Sequence, residues 1–133
     1  MNKSILFGLL TILFFFIFSD IWVIKKQHTI ESFPNGNPKL IHITKNILGN
    51  KILIRSIEFW EDGKKRYDKN YKNGRPEGKQ LFFSQLGEKT EQWIKNGKRN
   101  GIYTQWDSDN EIILKEKWKN GKKIKTIINK NNQ

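Results

Sequence analysis

Few side chains in this chain can do covalent chemistry, and their spacing narrows the field at once. Asp107-Ser108-Asp109-Asn110-Glu111 is the densest run of oxygen donors. A calcium loop of the EF-hand type needs Gly at its sixth position and Glu at its twelfth. Those positions hold Ile112 and Trp118, so the run reads as an acidic hairpin turn. Glu88 and Glu91 are close in sequence, but an acid–base pair of the glycosidase kind is defined by separation in space. With 12 carboxylates after residue 30, accidental neighbours are expected. Cysteine is absent, which removes disulfides, thiolate metal sites and Cys nucleophiles. The only histidines are His28, read as a linker residue, and His42, read as part of a short strand. They leave little for a histidine metal site or a Ser-His-Asp triad. Gly74 to Gly78 and Gly97 to Gly101 are not phosphate loops, because no Gly-Lys-Ser/Thr follows and no helix opens behind them. No serine sits in a nucleophile-elbow context. The chain is expected to be no enzyme, with no cofactor, no metal and no small-molecule substrate.

What remains is binding, and the composition says which kinds. The 133 residues carry 25 Lys and Arg against 13 Asp and Glu, a net charge of +12. Only Arg55, Arg66, Arg75 and Arg99 are arginine. Guanidinium is the preferred group for bidentate base and phosphate recognition, so this lysine-dominated surplus argues against nucleic acid as the partner. It favours solubility and attraction to an acidic protein surface. Hydrophobic residues are 36% of the chain, many of them in the first 24 positions, while aromatics reach 13%. Such a chain cannot fill a thick aliphatic core. It can build a thin sheet covered by large rings.

The first 24 residues read as a membrane signal. Ile5 to Phe18 is an uncharged run of 14 behind Lys3, the length of a signal-peptide h-region, with Ser19 and Ile17 at tolerable cleavage positions. Ile5 to Ile24, at 20 residues, equally suits a retained transmembrane helix. Export is favoured over a cytoplasm-facing domain, although Lys25 and Lys26 pull the other way. Residues 25–45 read as a linker and entry strand, with Ser32-Phe33-Pro34-Asn35-Gly36-Asn37-Pro38 as turn chemistry.

The rest is a repeat. Tyr71-Lys72-Asn73-Gly74, Trp93-Ile94-Lys95-Asn96-Gly97 and Trp118-Lys119-Asn120-Gly121 are the same word, their glycines 23 and 24 apart. Gly78 and Gly101 follow the first two glycines by four, and Gly63, Gly87 and Asn110 mark a second set of turns. Asn-Gly and Asp-Gly supply the positive φ of tight hairpins. The units run about 50–74, 75–97 and 98–121 within a domain of 46–123, with a degenerate start near Gly49. Residues 124–133 read as a basic, frayed tail. The expected fold is all-β: repeated hairpins forming an elongated antiparallel meander, preceded by one N-terminal hydrophobic helix.

Two aromatic columns are expected to hold the units together. Trp60, Phe83 and Trp106 form one, and Tyr71, Trp93 and Trp118 the other. In a stack whose stability is a sum of nearest-neighbour terms, Trp93 in a middle unit should pack more tightly than Trp118 in the last.

The words Tyr71-Lys72-Asn73-Gly74-Arg75-Pro76-Glu77-Gly78 and Trp93-Ile94-Lys95-Asn96-Gly97-Lys98-Arg99-Asn100-Gly101-Ile102-Tyr103 resemble MORN repeats. More closely, they resemble the variant found in bacterial YwqK-type antitoxins. The resemblance covers roughly residues 50–123. It implies a hairpin-repeat fold and a non-catalytic, antitoxin- or immunity-like binder that occludes a partner protein such as a cognate toxin. Lys125 departs from the pattern, standing where a third Gly would follow Gly121. Other readings are a membrane-surface or nucleic-acid binder using the Lys-rich stretch 115–130, and a structural envelope scaffold.

Overall fold

The computed structural model describes residues 24–130. The expected hydrophobic helix and cleavage site, residues 5–24, lie outside them except for Ile24. No helix among the described residues is long and apolar enough to cross a membrane.

Those residues form a single antiparallel sheet of ten strands. They are β1 (Lys25–Ser32), β2 (Pro38–Ile47), β3 (Asn50–Phe59), β4 (Lys65–Lys72), β5 (Arg75–Phe83), β6 (Lys89–Lys95), β7 (Lys98–Arg99), β8 (Gly101–Trp106), β9 (Ile112–Lys119) and β10 (Lys122–Asn129). Each strand pairs with the next along the chain, except that β7 and β8 both pair with β6 as two pieces of one interrupted strand. At the break, the Asn100 N–H donates to the Trp93 carbonyl at 2.8 Å.

Two kinds of turn alternate, and each follows from local chemistry. At one margin of the sheet the loops are three residues long. In them the Gly36, Gly63, Gly87 and Asn110 N–H groups donate to the Phe33, Trp60, Ser84 and Asp107 carbonyls. Each of these four residues has positive φ, the pattern of a type I turn closed by a left-handed residue. At the other margin the loops have two residues, both at positive φ: Leu48-Gly49, Asn73-Gly74, Asn96-Gly97 and Asn120-Gly121. That is the type I′ geometry whose twist matches the flanking strands. Asn tolerates it because its short amide can bond locally. Leu48, at φ 50 and 98% exposed, has no such help.

The hairpin register therefore begins one unit earlier than the repeated words suggest. Residues 25–45, expected to be a linker and entry strand, make all of β1 and most of β2. The stretch from residue 124, expected to fray, is paired through Asn129, with Thr126 opposite Glu116 and Ile128 opposite Lys115. Lysine-rich side chains do not prevent this, because a ladder is made by backbone groups and β-branched Thr126, Ile127 and Ile128 favour extended backbone.

No second layer covers the sheet among the described residues, and burial is sparse. Ile41 and Ile57 are the buried hydrophobic side chains, and Asp68, Gln80, Thr104 and Glu116 are buried polar ones. Ile41, Ile57, Asp68, Leu81, Glu91 and Thr104 stand directly opposite one another in successive strands. They form one row across the sheet. The row starts aliphatic and becomes polar, as a chain short of aliphatics requires.

Candidate binding surface

Side chains alternate between the faces of a strand, and residues directly opposed in an antiparallel ladder share a face. The β5–β6 ladder runs without a bulge. It places Gln80, Phe82, Thr90, Gln92 and Ile94 on one face and Lys79, Leu81, Phe83, Lys89, Glu91 and Trp93 on the other. The first is the aromatic face.

Its chemistry is built from rings and cations. Tyr67 and Phe82 meet edge to face at 5.2 Å, with planes at 88°. The Arg66 guanidinium lies 4.5 Å from the Trp60 ring centre and 5.0 Å from that of Tyr67. Its Nη1 donates to Glu58 Oε1 at 2.7 Å, which fixes the fork over the rings. Lys69 Nζ sits 4.4 Å from the centre of Tyr67. Three strands further on the motif recurs: Arg99 lies 4.5 Å from Tyr103 and 4.4 Å from Trp118. Arg99 Nε donates to Gln92 Oε1 at 3.0 Å. Trp118 Nε1 donates to Glu116 Oε2 at 2.9 Å, and Lys123 Nζ to the other oxygen of that carboxylate at 3.1 Å. The buried Gln80 amide donates to the Asn70 carbonyl at 3.0 Å, so the floor between the two clusters is held by satisfied polar groups.

Two open clefts lie between the rings. One, of about 260 Å³, is bordered by Trp60, Arg66, Tyr67 and Phe82; the other, of about 360 Å³, by Lys69, Tyr71, Pro76, Phe82 and Ile94. Phe82 borders both. Cation–ring stacks at partly exposed sites contribute about 0.5–1 kcal/mol each. They keep planar apolar surface presented to solvent with charge already in place.

The opposite face is wired differently. Asp68, 4% exposed, takes a two-pronged contact from Arg55, Nε to Oδ1 at 2.6 Å and Nη2 to Oδ2 at 2.5 Å. Lys65 adds a third contact at 3.3 Å. Burial pushes the Asp68 carboxyl up, but the Arg55 hydrogen bond and charge, with Lys65 behind them, outweigh it and hold it below the ordinary carboxylate value. Lys79 pairs with Glu91 at 2.7 Å, and Lys89 Nζ lies 3.8 Å from the centre of the Trp106 ring.

The six rings singled out in the sequence are divided between the faces. Trp60, Tyr71 and Trp118 belong to the aromatic face. Phe83 and Trp93 belong to the other, as does Trp106, directly opposite Lys89. Neither expected column is continuous. Trp93 is 44% exposed and leans on Gly101, where a Cβ would come within 3.2 Å of its own Cβ. Trp118, expected to be the looser ring, is the one held by Arg99 and Glu116. The physical reason is a one-residue offset from the turns. Tyr71 and Trp118 stand three residues before their turn glycines and Trp93 four, so Ile94 takes the aromatic-face position in that unit; likewise Trp60 stands three before Gly63, whereas Phe83 and Trp106 stand four before Gly87 and Asn110. Among the turn glycines, Gly63, Gly74, Gly78, Gly87, Gly97, Gly101 and Gly121 all have positive φ.

Arg66, Tyr67, Phe82, Arg99 and Tyr103 were not among the residues picked out by spacing. Their one signal was the rarity of arginine: in a lysine-rich chain, Arg55, Arg66 and Arg99 all hold ring or carboxylate contacts. Three of the carboxylates considered for chemistry, Asp107, Glu91 and Glu111, have structural tasks. Asp107 Oδ1 accepts the Asp109 N–H at 3.1 Å and the Glu111 N–H at 2.8 Å. Glu91 is taken by Lys79. Among the described residues no three metal-ligating side chains cluster. Comparison of the chain with protein-family models, curated proteins and solved structures gives no match.

Proposed function

We propose that this sheet is a non-catalytic protein-interaction module, exported past or tethered to a bacterial membrane through residues 5–24. It acts in the manner of an antitoxin or immunity protein, neutralising a partner by occlusion. The observation that carries the reading is the aromatic face, where arginines 66 and 99 are already stacked on partly exposed rings beside open clefts. Tyr, Trp and Arg are the residue types that dominate binding energy at protein interfaces. Their side-chain entropy is largely spent before the partner arrives, which favours affinity. The net charge of +12 selects for an acidic partner and speeds encounter with it. The resemblance of the repeated words to MORN-type antitoxins supports the same reading.

The test is co-expression with each neighbouring reading frame. A neighbour that arrests growth should be neutralised by the wild-type chain and not by the folded double variant Arg66→Glu/Arg99→Glu. Neutralisation by that variant at wild-type level, or no toxic neighbour, contradicts the proposal.

A further inference from the structure

The margin formed by the two-residue turns has a chemistry of its own, independent of the aromatic face. Each of its last three turns is closed by a directly opposed pair of cations: Lys72 with Arg75, Lys95 with Lys98, and Lys119 with Lys122. All six are exposed, and none makes an ion pair among the described residues. Consecutive turns on one margin are two strands apart, so the pairs recur about every 10 Å.

The chain itself shows what such a turn accepts. Glu77 Oε2 takes the Asn96 N–H at 2.9 Å, and one unit later Asn100 Oδ1 takes the Asn120 N–H at 3.2 Å. Glu77 and Asn100 each stand three residues after the preceding turn glycine. The residue three after Gly49 is Ile52, which has no side-chain acceptor. The Asn73 N–H accordingly has no acceptor among the described residues. It belongs to a turn bordering a cleft of about 590 Å³ lined by Lys72, Asn73, Arg75, Glu77, Asn96 and Gly97.

We infer that this margin docks an extended acidic peptide segment whose carboxylates lie three residues apart. One carboxylate takes the seat at Asn73 between Lys72 and Arg75, and the next two meet the Lys95/Lys98 and Lys119/Lys122 pairs. In the extended polyproline II conformation the chain rises about 3.1 Å per residue with three residues per turn, so side chains three apart share one face and lie about 9 Å apart, close to the two-strand interval. Five of the six cations are lysine, and no aromatic ring borders the cleft. A base would therefore find nothing to stack on, which favours a peptide over single-stranded nucleic acid.

The full chain in non-ionic detergent micelles is titrated against two labelled peptides of identical composition, at low salt. One is Glu-Ser-Gly repeated five times; the other gathers its five glutamates into one block. The spaced peptide should bind more tightly, and raised salt should weaken it. Lys72→Gln/Arg75→Gln should cost about fivefold, the weight of two exposed ion pairs. Lys39→Gln/Lys64→Gln, which falls outside this margin, should change affinity less than about twofold, and so should Lys69→Gln on the aromatic face. Circular dichroism checks that each variant is folded. Equal or tighter binding of the block peptide, equal losses from the control variants, no binding at all, or tighter binding of inorganic polyphosphate would each overturn the inference.

Discussion

On one face of the sheet a row of opposed side chains runs from Ile41 and Ile57 into Asp68, closed over by Arg55 and Lys65. On the other, Arg66 and Arg99 lie across rings that remain partly open to solvent. The same kind of group, an arginine, is consumed on the first face and presented on the second. Asp68 satisfies Arg55 at its tip, whereas Glu58 and Gln92 hold Arg66 and Arg99 while leaving their planes against aromatic surface. A single-layer sheet can thus separate its tasks by face: one side secures the ladder, the other offers area.

The largest effect should come from the securing face. Ile57→Ala should lower stability by about 2–4 kcal/mol, the range for a buried aliphatic truncation, read by chemical denaturation. A loss below about 1 kcal/mol would mean that the row does not hold the sheet. Asp68→Asn should follow, at about 1–3 kcal/mol, because it leaves Arg55 facing a neutral group. Its pH signature is specific. The Asp68 carboxyl is held below its unfolded value. Its contribution is therefore full above the unfolded value and is lost as pH falls through the folded one. Melting curves of wild type should drop on acidification below about pH 4, and those of Asp68→Asn should drop less steeply.

The rings sharpen the comparison. Trp118→Ala removes a stacked and hydrogen-bonded ring and should cost about 1–3 kcal/mol, while Trp93→Ala, at 44% exposed, should cost less than about 1.5 kcal/mol. Equal melting temperatures for the two variants would mean that the Arg99 stack and the Glu116 hydrogen bond do not hold Trp118. The smallest effect, and the one stabilising change, is Leu48→Asn. It gives the first two-residue turn the chemistry of the other three and should add about 0.5–1 kcal/mol by relieving a left-handed leucine.

The turns were legible because turn chemistry is local. Asn73-Gly74, Asn96-Gly97 and Asn120-Gly121 announce positive φ in two letters, and all three adopt it. The meander followed from their spacing. The first unit was hidden because Leu48 replaces the asparagine of the turn between β2 and β3 and because β1, Lys-Lys-Gln-His-Thr-Ile-Glu-Ser, shows no apolar alternation. The faces were not legible at all. They depend on offsets of one residue relative to the turns, such as Trp93 four residues before its glycine where Tyr71 and Trp118 stand three before theirs, and hydrogen-bond register, not composition, shows which face each takes. A ring column counted at intervals of 22 to 25 residues overlooks those offsets, so its members scatter to both sides. Spacing alone found the rings; the arginines stacked on them emerged only in three dimensions.

Two aromatic residues on opposite faces allow the division to be tested in the living cell. Phe82 borders both clefts of the aromatic face, and Trp93 lies exposed on the other. Each is replaced in turn by the photo-cross-linking residue p-benzoylphenylalanine in the full-length chain, expressed in its own host and irradiated. The account predicts a discrete cross-linked protein partner from position 82 and none from position 93. The same partner captured equally from both positions, or from position 93 alone, would contradict it.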